Sequence, residues 1–303
     1  MFRRSLLALL LFTSFAVADL VTDVRIALSQ GNLTAAGSAL EDYRRVHGDD
    51  SEYLEGLSWM ARALVSANQL DQAEAYARQI ESISRAKLKS RTLDAEPHLP
   101  LALGAAIEVQ AQVLSARSEN SQAVALLRRN LVTYGNTSLR SRLQKNLNLL
   151  GLAGQPAPPL NVAEYLGVRP SSLADWKGSP ILLFFWAHWC IDCKHEGPVI
   201  SQLRSEFASQ GLKVAAPTQY YGYAAYGAEA KPKDELAYIG RVWQTYYPGL
   251  QEVPVPVSKA NFDRYGASTT PTLVLIDRKG HVALYHPGFL SYDELRAAIQ
   301  KAM

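Results

Sequence analysis

The chain lacks a strong excess of charge of either sign. Its formal net charge is +3, two units of which come from Arg3 and Arg4 near the N-terminus, and only 19% of its residues are charged. This balance gives no indication of binding to nucleic acid or to a charged membrane surface. With 303 residues and 48% hydrophobic content, the sequence is typical of a soluble globular protein long enough for two domains.

Cysteine is also scarce, since the chain holds only Cys190 and Cys193, with two residues between them. The apolar run at residues 181–185 is typical of a buried strand, and residues 194–207 are typical of an amphipathic helix. The first sulfur is therefore expected at a helix N-terminus, where unpaired backbone N–H groups and the helix dipole favour a thiolate. The pattern predicts a redox-active dithiol.

Residues 1–18 have the composition of a secretory signal. A basic start is followed by an apolar run from Leu6 to Phe15 and by the small-residue cleavage site Ala16-Val17-Ala18. The apolar run is short for a membrane span, which favours a cleaved signal over an uncleaved N-terminal anchor. No cysteine lies near the cleavage site, which excludes a lipoprotein. The expected location is the periplasm or the cell exterior, where a lone cysteine pair tends to be oxidised unless something reduces it.

The segment 19–150 lacks cysteine, histidines at metal-ligand spacing, glycine-rich phosphate loops and strand-like β-branched runs. Apolar and alanine residues recur at helical spacing, which predicts an all-α domain. Similar stretches begin at Gly31, Asn68 and Asn120, each before a helix. They resemble tetratricopeptide-type repeats, although their uneven spacing fits an ordinary helical bundle equally well. We expect this domain to be a docking or dimerisation surface rather than a catalyst.

Glycine and proline are concentrated at residues 151–159, which ends the last helix and marks a domain boundary. Strands are predicted after it near residues 181–186, 212–217, 272–277 and 281–285, and helices near 193–209, 234–246 and 292–301. The turn at residues 278–280 joins the last two strands as a hairpin. The segment 151–303 is therefore predicted to be a small α/β domain with helices on both faces of its sheet.

This C-terminal half resembles the thioredoxin superfamily, and more closely the exported thiol–disulfide oxidoreductases of the TlpA/ResA type. The motif Phe185-Trp186-Ala187-His188-Trp189-Cys190-Ile191-Asp192-Cys193 carries the resemblance, together with Lys177-Gly178, Glu196, Pro198, Tyr265-Gly266 and Thr270-Pro271-Thr272. The resemblance implies the thioredoxin fold, a central mixed sheet flanked by helices. It also implies thiol–disulfide exchange without a bound cofactor or metal.

The resemblance further implies roles for single residues. Cys190 is expected to be the exposed nucleophile and Cys193 the buried resolving cysteine. Thr270-Pro271 is expected to have a cis peptide bond facing the disulfide, which leaves the Thr270 backbone free to pair with an extended substrate segment beside Trp189. The partners implied are protein thiols or disulfides and a membrane-embedded thiol electron donor, with no nucleic acid.

Phe184 departs from the superfamily pattern in a way that concerns proton transfer, whereas Glu196 stands where TlpA-type proteins often have a glutamate. Phe184 stands where many members have a buried acid, and a phenylalanine side chain carries no proton. Glu196 comes three residues after Cys193, on the same face of the predicted helix, and is expected to be the acid–base partner. The alternative is a solvated carboxylate that only interacts with the helix dipole.

An insertion at about residues 217–260 lengthens the domain. It holds Trp243 and seven tyrosines, which are Tyr220, Tyr221, Tyr223, Tyr226, Tyr238, Tyr246 and Tyr247. These aromatic residues either pack an inserted helix onto the sheet, which is the commoner situation, or form a substrate-facing rim or lid.

Charged residues next to the cysteines bear on the redox direction. His188 and His195 flank them, but helix geometry argues against a four-ligand metal site with the thiolates. We expect these histidines to adjust the local charge. Asp192 lies between the cysteines and should oppose thiolate formation at Cys190 by like-charge repulsion. This favours a reductant or mild exchanger over a strong oxidant.

The sequence therefore predicts an exported thiol–disulfide oxidoreductase that reduces protein disulfides. An oxidase or isomerase would use the same cysteines in the other direction, so it stays an alternative. A helical scaffold with a structural dithiol is a second alternative. A peroxidase fits less well, because the spacing of the cysteines suits dithiol exchange.

Overall fold

The computed structural model describes residues 19–303, so the signal sequence expected at residues 1–18 lies outside the described residues. Helices fill the first part of the described chain, as predicted. They are α1 (Leu20–Ser29), α2 (Leu33–His47), α3 (Ser51–Ser66), α4 (Leu70–Lys87), α5 (His98–Ala116), α6 (Asn120–Tyr134) and α7 (Arg140–Gly151).

These helices form a stack of pairs. α1 packs on α2, α3 on α4 and α5 on α6, while α1, α3 and α5 also pack side by side and α7 closes the stack. One continuous core runs through it, in which Leu54, Leu103 and Leu127 are fully buried. By length and composition α5 could span a membrane, but 72% of its apolar stretch is buried. α5 is therefore the central helix of this core.

The turns inside the three pairs share one conformation. Each contains a residue with a left-handed backbone: Gly31 (φ +72°), Asn68 (φ +57°) and Ser118 (φ +64°). The residue after each of them donates its N–H to the carbonyl five residues earlier, in the pairs Asn32 to Ala27, Gln69 to Leu64 and Glu119 to Leu114. The similar stretches of sequence that begin at Gly31, Asn68 and Asn120 thus correspond to the same turn followed by the start of a helix. The relation to tetratricopeptide repeats stays a prediction.

The rest of the described chain alternates strands and helices. The strands are β1 (Tyr165–Leu166), β2 (Ile181–Phe185), β3 (Lys213–Ala215), β4 (Val255–Pro256), β5 (Thr272–Ile276) and β6 (Val282–Pro287). The helices are α8 (Ile191–Glu206), α9 (Pro232–Tyr246), α10 (Lys259–Tyr265) and α11 (Tyr292–Ala302). All four predicted strands and all three predicted helices are present, while the short pair β1–β4 and α10 were not predicted.

A four-stranded sheet in the order β3-β2-β5-β6 forms the centre. β2 pairs parallel with β3 and antiparallel with β5, and β5 pairs antiparallel with β6. Both faces are covered, so alternate residues of β2 enter different cores. Leu182 and Phe184 lie in the core of α8, α9 and α11, whereas Leu183 and Phe185 lie in the core of α10.

The helical part packs tightly on the sheet side that carries α10. Gly266 ends α10 with φ of +61°, and a Cβ atom there would lie 2.2 Å from the backbone nitrogen of Lys145 in α7. Asn148 Nδ2 donates to the carbonyl of Tyr265 at 2.8 Å. Leu152, just after α7, lies in the core around α10. The predicted domain boundary near residue 151 therefore stays a prediction, because the two parts share contacts across it.

The glycine- and proline-rich segment after α7 pairs with the edge strand β6. Gly154 N donates to the carbonyl of Val282 at 2.8 Å, and Val282 N donates to the carbonyl of Gln155 at 2.9 Å. Ala157 N donates to the carbonyl of Gly280 at 2.9 Å. The segment thus forms an isolated antiparallel bridge, between Pro156 and His281, at the start of β6.

Candidate active site

Strand β2 delivers the two cysteines to the N-terminus of α8. Cys190 is the N-cap of this helix, with φ −74° and ψ 115°, and its Sγ accepts a hydrogen bond from the backbone N–H of Cys193 at 3.0 Å. The two cysteines form a disulfide. The unpaired N–H groups of the first turn and the helix dipole are placed to stabilise a thiolate on Cys190 after reduction.

The disulfide is more buried than expected at its first cysteine. Cys193 is fully buried, as predicted, but Cys190 is only 3% exposed, so the expectation of an exposed Cys190 is wrong for the disulfide form. The reason is that the Cys190 sulfur lies against the Thr270 carbonyl, at 3.4 Å. The surface around the disulfide is formed instead by the flanking side chains Trp189 and Ile191, which are 48% and 67% exposed.

The loop before β5 faces the disulfide. The Thr270–Pro271 peptide bond is cis, as predicted. Pro271 is buried and Thr270 is half-buried. Within the described chain the Thr270 N–H donates no backbone hydrogen bond, and the Thr270 carbonyl is turned towards Cys190. The backbone of Thr270 is therefore open to an extended segment laid beside the disulfide.

Glu196 is a buried carboxyl one helical turn after Cys193. Its side chain is fully buried, Oε2 accepts a hydrogen bond from Leu290 N at 3.1 Å, and Oε1 has no hydrogen-bond partner among the described residues. Burial raises the pKa of Glu196 to about 7, and the hydrogen bond from Leu290 only partly opposes this rise. The alternative of a solvated helix-start carboxylate is therefore wrong, because no part of this side chain meets water.

Aromatic residues of the insertion pack beneath the site. Trp186 contacts Trp243 and Tyr247, with ring centroids 5.0 and 5.1 Å away, and its Nε1 donates to the carbonyl of Ala216 at 3.0 Å. Both Trp243 and Tyr247 are buried. Most of the insertion thus packs α9 onto the sheet, which is the commoner of the two expected roles. Tyr226 and Tyr246 are exceptions, as Tyr226 is fully exposed and Tyr246 is 47% exposed.

His188 is enclosed by the insertion rather than turned to the cysteines. It is 1% exposed, and the rings of Tyr221, Tyr223 and Tyr238 meet it edge-on at centroid distances of 5.2–5.4 Å. Burial lowers the pKa of His188, while the Glu235 carboxylate acts in the opposite direction. His195, by contrast, is exposed. The expectation that both histidines adjust the charge around the cysteines stays a prediction.

Glu235 is the residue near the site that the sequence did not reveal. It is 1% exposed, it accepts hydrogen bonds from Tyr221 N at 2.6 Å and Gly222 N at 2.9 Å, and it lies 3.4 Å from His188 Nε2. In the sequence it reads as an ordinary acid in the first turn of a helix that begins with proline. Only the fold brings it under the loop that leads to Cys190.

Known proteins match the C-terminal half. Residues 172–303 match the family model described as a thioredoxin-like domain. The thioredoxin-like protein YneN of Bacillus subtilis is 29% identical over 143 residues, which are 47% of this chain and 75% of YneN. The thiol–disulfide oxidoreductase ResA of Geobacillus thermodenitrificans is 24% identical over 147 residues, which are 48% of this chain and 76% of ResA.

Two further matches cover the same share of the chain. The thiol:disulfide interchange protein DsbE of Xylella fastidiosa is 31% identical over 143 residues, which are 46% of this chain and 64% of DsbE. A crystal structure of a thioredoxin-family thiol:disulfide interchange protein from Chlorobium tepidum has a TM-score of 0.36 and 21% identity. It covers 49% of this chain and 95% of its own.

Proposed function

We propose that this protein, whose residues 172–303 are a thioredoxin-like domain related to thiol–disulfide oxidoreductases, reduces disulfides of protein substrates outside the cytoplasm. The observation behind the proposal is the order of groups along α8. Cys190 caps the helix, and Cys193 and Glu196 are both fully buried behind it. An attacking thiolate at a helix N-terminus, a resolving thiol and a proton carrier are the parts that disulfide exchange requires.

The proposed cycle begins with the reduced protein. The Cys190 thiolate attacks one sulfur of a substrate disulfide, a mixed disulfide forms, and the other substrate sulfur leaves as a thiolate. Cys193 then loses its proton to Glu196 and attacks Cys190 Sγ, which closes the Cys190–Cys193 disulfide and releases the second substrate thiol. The substrate gains two electrons and the protein loses them. The proton of Cys193 passes through Glu196 to one substrate sulfur, and the thiolate released first takes its proton from the solvent.

Substrate binding and regeneration complete the proposal. An extended substrate segment would pair with the open backbone of Thr270 beside Pro271 and contact the exposed ring of Trp189. Return to the dithiol form requires an external reductant, for which we propose a membrane-embedded thiol donor. No step needs a bound cofactor or metal. We also propose periplasmic or extracellular location, on the composition of residues 1–18.

Cysteine variants test the assigned roles. Cys190→Ser should abolish reduction of a protein disulfide, and Cys193→Ser should accumulate mixed disulfides, because attack is retained and resolution is lost. Alkylation of the reduced wild type with limiting reagent, followed by peptide mapping, should label Cys190 first. Preferential labelling of Cys193 would exchange the two roles, and unaffected biological activity of both variants would favour the scaffold alternative.

The redox potential decides the direction. Equilibration with a series of glutathione buffers should give a value nearer the roughly −270 mV of thioredoxin than the roughly −120 mV of a strong periplasmic oxidant. The physical reason is that a strong oxidant depends on a stabilised thiolate in its reduced form. The Asp192 carboxylate, which lies between the cysteines in the sequence, disfavours that thiolate. A potential near the oxidant end would replace the reductase with the oxidase alternative.

The proton route is tested by Glu196→Gln. In single-turnover experiments the variant should resolve the mixed disulfide about tenfold or more slowly at pH 7, a modest loss for a general base. Attack by Cys190 should change much less. Raising the pH should partly restore resolution, because hydroxide can then take the Cys193 proton. Unchanged resolution between pH 6 and 8 would remove Glu196 from the mechanism.

A further inference from the structure

A cationic cavity lies between the helical part and the loop that faces the disulfide. It has a volume of about 530 Å³, and side chains of α3, α5 and α7 form its walls. Ser138 and Leu139, just before α7, also line it, and the remaining wall is formed by Ser268 and Thr269, which directly precede Thr270. We call it the basic pocket. It belongs to neither part alone, because each part supplies one side.

The walls of the basic pocket hold more positive than negative charge. Arg62, Arg142 and Lys145 line it with a single carboxylate, Glu108. Glu108 accepts hydrogen bonds from Arg142 Nε at 2.8 Å and from Lys145 Nζ at 3.0 Å, and these three side chains are 11–17% exposed. One buried carboxylate is thus shared between two cations, and the third cation adds to the excess.

Arg62 is the cation that lacks a carboxylate partner. Among residues 19–303, no acidic oxygen lies within ion-pair distance of its guanidinium, since Glu108 is occupied and Glu55 pairs with His98 Nδ1 at 2.8 Å. The Arg62 guanidinium instead rests on the ring of Trp59, 4.6 Å from its centroid. Burial, together with the charge of Arg142, lowers the pKa of Arg62 to about 10. A partly buried, unpaired cation is costly, and an anionic ligand would relieve this cost.

We propose that the basic pocket binds an acidic side chain of the substrate, a few residues from the substrate cysteine that reacts with Cys190. This inference rests on the proposed function and specifies its substrate class. Thr269 lines the pocket, and the carbonyl of the next residue, Thr270, lies 3.4 Å from Cys190 Sγ. An extended chain advances about 3.3 Å per residue, so a segment bound along this loop brings a nearby side chain to the pocket.

The close contact between α7 and the end of α10 positions the basic pocket so that it can distinguish acidic from neutral substrate segments. Gly266 meets the Lys145 backbone directly, which holds α7 in a fixed position beside the loop 268–270. Arg142 and Lys145, both on α7, therefore lie on a helix that packs directly against the end of α10. We infer that the helical part acts on the reaction as a specificity element, through charge.

The test uses the reduced Cys193→Ser full-length protein and two synthetic peptides. Each peptide carries one cysteine as a mixed disulfide with 2-nitro-5-thiobenzoate, and the peptides differ only in having glutamate or glutamine near that cysteine. The Cys190 thiolate attacks the peptide sulfur, a Cys190–peptide disulfide forms, and the coloured thiobenzoate leaves with the electron pair. The rate of its release gives the second-order rate constant for each peptide without regard to the physiological direction.

The glutamate peptide should react about tenfold faster than the glutamine peptide at low salt, an ordinary gain for one charge-assisted contact. Arg62→Gln should abolish most of this preference and leave the glutamine peptide within about twofold of its original rate. Arg25→Gln is the matched control, because Arg25 also stacks on Trp59, at 4.7 Å, but does not line the pocket. It should leave the preference unchanged.

A salt series on the Cys193→Ser protein supplies a second measurement that needs no change at the pocket. The preference for the glutamate peptide should fall as salt rises, because screening weakens the contact. Equal rates for the two peptides at low salt, or equal effects of Arg62→Gln and Arg25→Gln, would overturn the proposal. Failure of both peptides to form the disulfide with Cys190 would instead contradict the proposed function itself.

Discussion

Glu196→Gln should change how the stability of the protein depends on pH. The wild-type side chain is fully buried, and within the described chain only Leu290 N donates a hydrogen bond to it. Burial raises the pKa of Glu196 from its usual value of 4.5 to about 7. Glutamine keeps the size of the side chain and an acceptor oxygen, but it does not ionise. The variant therefore removes one titration and little else.

The size of the effect follows from the raised pKa. In the unfolded chain the carboxyl ionises near its usual pKa of 4.5, whereas in the folded protein ionisation is postponed to about 7. Stability due to the protonated group is thus fully present below pH 4.5 and is lost as the pH rises through the folded pKa. Between pH 5 and 8 the wild type should lose about 2.5 kcal/mol of unfolding free energy relative to the variant.

Denaturant unfolding of the two oxidised proteins measures this quantity. The free energy of unfolding is determined for both at pH 5, 6, 7 and 8, and only the difference between them is used, so the titration of every other group cancels. We expect the difference to move steadily in favour of Glu196→Gln as the pH rises. A difference that stays constant from pH 5 to 8 would mean that Glu196 ionises like a surface acid, and the proton route through it would fail.

Three further predictions concern the packing around the site. Glu235→Ala should destabilise the protein by about 3 kcal/mol, because it removes the buried carboxylate that accepts from Tyr221 N and Gly222 N and faces His188, and thermal unfolding measures the loss. Gly266→Ala should lower the free energy of unfolding by more than about 1 kcal/mol, since the added methyl meets the Lys145 backbone and the residue has a positive φ. An unchanged melting temperature would show that α7 and α10 can move apart. A fragment that begins at Gln155 should fold and keep disulfide reductase activity on a generic substrate, with a lower melting temperature because the α7 contacts are gone. An inactive or unfolded fragment would make the helical part essential to the site.

The strands and the cysteine motif could be predicted because their signals are local. Residues 181–185 form a continuous apolar run, and a strand buried on both faces needs such a run. Cys190 and Cys193 are three positions apart, within one helical turn, so their relation to the helix start is set by sequence spacing. Glu196 could be placed on the same face as Cys193 for the same reason.

The missed features depend on contacts between distant segments. β1 and β4 have two residues each, too few to show a period, and they are strands only because they pair with each other. Glu235 and His188 are 47 positions apart in number and meet only after α9 folds over the loop. The carbonyl oxygen that covers the Cys190 sulfur belongs to Thr270, in the loop before β5, 80 positions along the chain. No property of the isolated segments reports these pairings.

The pairing of residues 154–157 with β6 has a consequence for the behaviour of the protein at high concentration. β6 is the last strand of the sheet, and an open edge of this kind is a template for pairing with another copy of the chain. The hydrogen bonds between Gly154 and Val282 and between Ala157 and Gly280 cover the start of that edge from within the same molecule. The segment 154–157 thus also reduces pairing of this edge with another molecule and so opposes aggregation. A chain shortened beyond Ala157 would keep the disulfide and its surroundings but expose the edge, and self-association would then rise with concentration.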